Sequence, residues 1–73
     1  MQKVWFVVQQ SPGWGVVDLT GKPQMTPANG QSLTSHQPTI TGAIVEAVAA
    51  AGLNGTQIVA LTNVQNGCLL IVG

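Results

Sequence analysis

Apolar and polar positions fall into blocks of different period, separated by turn residues. The first block, QKVWFVVQQSPGWGVVDLT over 2–20, carries β-branched and aromatic residues on both sides of Ser11-Pro12-Gly13. Such residues fit a pleated surface and Pro-Gly fits a turn, so the block predicts two antiparallel strands. With Ser11 to Gly13 as a three-residue loop, Trp5 faces Leu19 and Val7 faces Val17. The other face then holds Val4, Phe6, Val8, Trp14 and Val16, with Asp18 as a polar intruder. Apolar side chains leave the first strand in both directions, which a sheet covered on one face does not require.

Residues 21–38, GKPQMTPANGQSLTSHQP, have no sustained apolar period and hold three of the four prolines and the pair Asn29-Gly30. They predict a long loop, and loops of this length are often functional. A helix follows in TITGAIVEAVAAAGLNG, 39–55. Thr39 or Thr41 supplies an N-cap oxygen, and Gly52 suits the left-handed residue that ends a helix. Ile40, Ile44, Val48 and Ala51 recur at spacings of three and four and predict the core stripe. The opposite side, Gly42, Glu46, Ala49, Ala50 and Leu53, is small and smooth where a surface helix is normally polar. Small residues allow close backbone approach, so that side is expected to meet a second partner.

The tail, TQIVALTNVQNGCLLIVG over 56–73, predicts a hairpin around Asn66-Gly67, the dipeptide that favours two-residue turns. This places Val64 opposite Leu69 and Leu61 opposite Val72, again with apolar residues on both faces and Thr62 and Asn63 as interruptions. The expected architecture is one α+β domain over 1–73 in ββαββ order. Its mainly antiparallel four-stranded sheet carries the helix on one face.

Composition changes this picture in one respect. Lys3, Lys22, Asp18 and Glu46 are the only charged side chains, 5% of 73 residues with a formal net charge of zero, against about 25% in an ordinary domain. Without charge there is little repulsion to keep molecules apart. A chain of this size has a marginal core and usually needs a staple. A lone Cys68 excludes an internal disulfide, and Asp18, His36, Glu46 and Cys68 match no metal-ligand spacing, so association is the expected staple. No Lys/Arg cluster exists for phosphates or for a membrane surface, so neither a nucleic acid nor a membrane is an expected partner. The apolar run VWFVV at 4–8 is too short for a secretory signal, and the 43–53 stretch is too short to span a bilayer. The expected location is cytoplasmic.

The chemical motifs are weak. GVVDLTGK at 15–22 has five residues between its glycines rather than four, and Pro23 stands where a phosphate loop needs Ser or Thr. Cys68, His36 and Asp18 offer a nucleophile, a base and an orienting carboxylate in kind, but no cysteine signature surrounds Cys68. Asn54-Gly55-Thr56 reads as turn chemistry.

These observations predict a non-enzymatic module that acts as a homo-oligomer and binds a protein partner, without cofactor or metal. Trp14, Met25 and His36 form the expected contact surface, since Trp is enriched in binding hot spots and the other two lie in or beside the long loop. Trp5, Gly42, Glu46, Ala49 and Ala50 form the expected helix or sheet interface. The alternative is a small-molecule binder or small enzyme with an inter-subunit pocket lined by Asp18, His36 and Trp14.

Overall fold

The computed structural model describes residues 2–23, 26–52, 58–64 and 67–73. Among the described residues it is an α+β fold with one α-helix and one antiparallel sheet. The strands are β1 (Lys3–Gln10), β2 (Gly13–Asp18), β3 (Gln31–Gln37), β4 (Ile58–Val64) and β5 (Gly67–Val72), and α1 (Ile40–Ala50) lies between β3 and β4. Their order across the sheet is β3-β2-β1-β5-β4, which makes β3 and β4 the edges.

The sheet therefore has five strands where four are expected, because β3 lies inside the 21–38 loop. Its sequence, QSLTSHQ, contains only Leu33 as a large apolar residue. An edge strand is held through the backbone on one side and needs no apolar period, so the alternation rule does not detect it. A short 3₁₀ turn, Pro27–Asn29, precedes it.

The β1–β2 turn is also tighter than expected. Gln10 pairs with Gly13, so the loop is Ser11-Pro12 alone, joined by a cis peptide bond. The register moves by one residue, and Trp5 faces Asp18 and Val7 faces Val16 instead of Leu19 and Val17. A one-residue slip exchanges the faces of the second strand. Val16 and Trp14 join Trp5 and Val7 on the helix side, while Val17 and Leu19 join Phe6 on the other. The β4–β5 register differs by two: Val64 pairs with Gly67 and Leu61 with Leu70, in place of Leu69 and Val72. A shift of two leaves every side chain on its expected face.

Between sheet and helix lie Trp5, Val7, Val16, Cys68, Leu70 and Val72, closed by Ala43 and Ala47. Burying each large side chain contributes roughly 1.5–3 kcal/mol. The helix meets the sheet through these two alanines, with Ile44 and Val48 flanking them, whereas Ile40 is 37% exposed and Ala51 is exposed. The expected stripe is thus rotated. Trp5 fills the space under the helix, and residues without bulk let the backbone approach over it. The caps are the expected ones: Thr39 Oγ1 accepts from the Gly42 N–H at 2.9 Å, and Gly52 has φ +69°.

The second cluster, Phe6, Val17 and Leu19 with Val4, Val8, Val64 and Leu69 around it, lies on the face away from the helix. Gly30 closes part of it, and a Cβ there would collide with the Val17 side chain. The helix itself packs on β3 and β2 and reaches β1. Its packing is weighted to that half of the sheet, away from β4.

Candidate functional site

One corner of the sheet gathers two of the expected contact residues. Trp14, half-buried, pairs with Gln37 across β2 and β3, and His36 precedes Gln37 in the chain. The sequence folds this way because two irregularities interrupt the β2–β3 ladder between Trp14 and Val17. Bulged strands bend and twist locally. His36 takes φ 56°, the left-handed region, which costs a non-glycine residue about 1–2 kcal/mol. Gln10 helps to hold it there. Its side chain crosses Gly15, where a Cβ would lie 2.6 Å from the Gln10 Oε1, and that oxygen accepts the His36 backbone N–H at 2.8 Å. Gly13 serves the same corner, since a Cβ on it would meet the Gln37 carbonyl oxygen at 2.5 Å. The His36 side chain is exposed.

Asp18 is not part of this corner. It pairs with Gln31 at the other end of β2, and its Oδ1 accepts the Thr20 N–H at 2.8 Å to shape the turn after the strand. Four residues along a strand separate it from Trp14, about 13 Å at the rise of a β-strand. It therefore does not orient His36. Cys68 is also remote: it is buried on β5, and β1 and β2 intervene between β5 and β3. Three inter-strand spacings amount to about 14 Å. Burial pushes its thiol pKa up, the direction opposite to that of an activated nucleophile. No group of three or more His, Cys, Asp or Glu among the described residues is placed to hold a metal ion.

The expected interface residues divide. Glu46, Ala49 and Ala50 are exposed on the outer side of α1, and Gly42 is half-buried beside the Thr39 cap. Val45, not foreseen there, stands 59% exposed on the same helix. Trp5 is wholly buried, and its cover is the chain's own helix and sheet rather than a second chain. Its Nε1 has no acceptor among the described residues. Met25, Leu53, Asn66 and the Asn54-Gly55-Thr56 turn lie outside the described residues.

A second surface is one that the sequence reading missed. Strand β4 is exposed along nearly its whole length, with Ile58 46%, Val59 56% and Leu61 52% exposed. Together with Ile40 and Val45 they are the large exposed apolar side chains of the described residues. The signal was present in IVALTNV, an uncharged apolar run. What the sequence withheld was the strand order that leaves this run at an edge.

No family model, curated protein or solved structure matches the chain. No helix among the described residues is long and apolar enough to cross a membrane.

Proposed function

We propose that this chain is a non-enzymatic module that works as a homo-oligomer in the cytoplasm and binds a further protein partner. The observation that carries the reading is the pairing of scarce charge with exposed apolar surface. Four charged side chains serve the whole chain, while Ile58, Val59 and Leu61, within four residues of one strand, each stand about half exposed. Contiguous apolar surface of this kind marks contact with another macromolecule. The corner formed by Trp14, His36 and Gln37 supplies the surface for the further partner. Its indole and imidazole are held on a braced backbone, which limits the ordering cost of binding.

The competing reading, a small-molecule site between subunits, needs Asp18, His36 and Trp14 in one place. Asp18 stands at the far end of β2 from Trp14, so within one chain it does not join them, and that reading needs a second copy to bring it there.

Light scattering across a dilution series tests the proposal. A mass that is a multiple of 7.5 kDa at high concentration and falls on dilution is the expected result. A 7.5 kDa species at every concentration overturns it.

A further inference from the structure

The two edges of the sheet are built differently. β3 is polar, carries two register irregularities and bends at His36. Bulges and polar side chains are the means by which edge strands avoid pairing with other chains. β4 has little of this. Ile58–Val64, IVALTNV, has no charge and no proline, and its single irregularity falls at its start, between Ile58 and Ala60. An unpaired row of backbone N–H and C=O groups flanked by aliphatic side chains is a template for another strand.

We propose that β4 is the homo-oligomer interface, pairing antiparallel with β4 of a second copy to join two five-stranded sheets into one of ten strands. The inference rests on the homo-oligomer reading above and names its surface. A second copy is the occupant that the strand's chemistry selects. A foreign strand is chosen by charge or by side-chain pockets, and β4 offers neither. An antiparallel pair of identical strands is self-complementary about a two-fold axis, the isologous geometry of most dimers. Self-pairing of β4 brings no charged residue of the strand against its own copy.

Register follows from the strand's length. Centring the axis on Leu61, the middle of the strand, uses all seven positions: Leu61 faces its own copy, Ala60 faces Thr62, Val59 faces Asn63 and Ile58 faces Val64. Leu61 shares a sheet face with Leu70 and hence with the helix-side core. This is the half of the sheet that α1 leaves uncovered. In the dimer two Leu61 side chains lie side by side between the two helices, at the about 4.5–5.5 Å Cβ separation of directly opposed residues. A stable complex commonly takes about 800 Å² from each partner, about a fifth of this chain's 4425 Å² surface. One edge strand supplies less than that, so the dimer is weak, with a Kd on the order of micromolar or above.

The test is sedimentation equilibrium of the full chain from about 1 μM to about 1 mM, a range that brackets such a Kd. The variants are Leu61→Lys, Leu61→Glu and, as a control on the helix surface, Val45→Lys. Wild type and Val45→Lys are expected to form dimers. Each Leu61 variant alone is expected to stay monomeric with an unchanged far-UV spectrum, because like charges then face each other at the axis. An equimolar mixture of the two is expected to recover the dimer. A wild-type dimer that survives in both Leu61 variants, or that is lost in Val45→Lys, overturns the β4 assignment and leaves the homo-oligomer reading standing. A wild type that is monomeric throughout overturns both. Should either Leu61 variant fail to fold, the double variant Ala60→Lys/Thr62→Lys, with both positions exposed on the opposite face of the same strand, replaces it and carries the same expectation of monomer, because position 60 faces position 62 of the copy and like charges are again opposed.

Discussion

Trp5 offers the sharpest test of the packing. It is wholly buried, yet its indole N–H finds no acceptor among the described residues. Replacing it by phenylalanine has two opposed effects. The smaller ring leaves about 40 Å³ unfilled, which at about 24 cal/mol per Å³ costs about 1 kcal/mol, and the apolar area lost adds about 1 kcal/mol more. The same change removes a buried donor whose unmet desolvation costs about 1–3 kcal/mol. Trp5→Phe is therefore expected to lie within about 1 kcal/mol of wild type, on either side of neutral. Trp5→Ala has no such compensation and is expected to cost about 3–5 kcal/mol. That is a large share of the roughly 4–11 kcal/mol that a 73-residue domain possesses. Urea unfolding at fixed protein concentration measures both, because association adds to apparent stability. Far-UV circular dichroism and Trp14 fluorescence report the transition in both variants. A loss of about 3 kcal/mol or more in Trp5→Phe would show that the indole N–H is bonded in the native state, and the reasoning would fail.

Two further outcomes follow from single positions. A Cβ on Gly67 would run into the Val7 carbonyl oxygen, so Gly67→Ala must move backbone and is expected to cost about 1–3 kcal/mol in the same urea assay; an unchanged midpoint would contradict that close approach. Burial raises the Cys68 thiol pKa, so its contribution to stability is fully present below the ordinary thiol range, about 8.5, and is lost as pH rises through the folded-state value. Unfolding measured from neutral pH upward should show this decline in wild type and a reduced decline in Cys68→Ala.

What was legible in the sequence is what depends on local chemistry. Thr39 and Gly52 frame the helix because a hydroxyl at the N-cap and a residue free to take positive φ act within one turn. The β-rich blocks on either side were legible from side-chain type. Register was less so, because it depends on turn length. Reading Ser11 to Gly13 as the loop, rather than Ser11-Pro12, sends Val16 and Trp14 to the wrong face, whereas the equivalent misreading near Gly67 is harmless because its shift is even. The helix stripe was misplaced for a different reason. Bulky residues dominate a periodicity, but over a buried tryptophan the helix turns Ala43 and Ala47 inward. The Gln10–His36 brace was not legible at all, since it exists only once β3 is recognised as a strand.

β3 also explains the asymmetry that matters for assembly. The helix leaves β3 through Pro38 and the Thr39 cap, so its start is tied to that edge, and its packing falls on β3 and β2. An α-helix is about 10–12 Å across with its side chains, little more than half the width of a five-stranded sheet, about 19 Å at the usual strand spacing. Had the sheet been four-stranded without β3, a central helix would have had fewer strands to cover. Adding β3 places the covered half on one side and leaves β4 on the other, with no strand beyond it among the described residues and Leu61 half-exposed beside the core. The same polar segment that hides from an apolar-period search thus guards one edge of the sheet and displaces the unguarded one away from the helix. The proposed association through β4 would pair that edge without asking anything of β3.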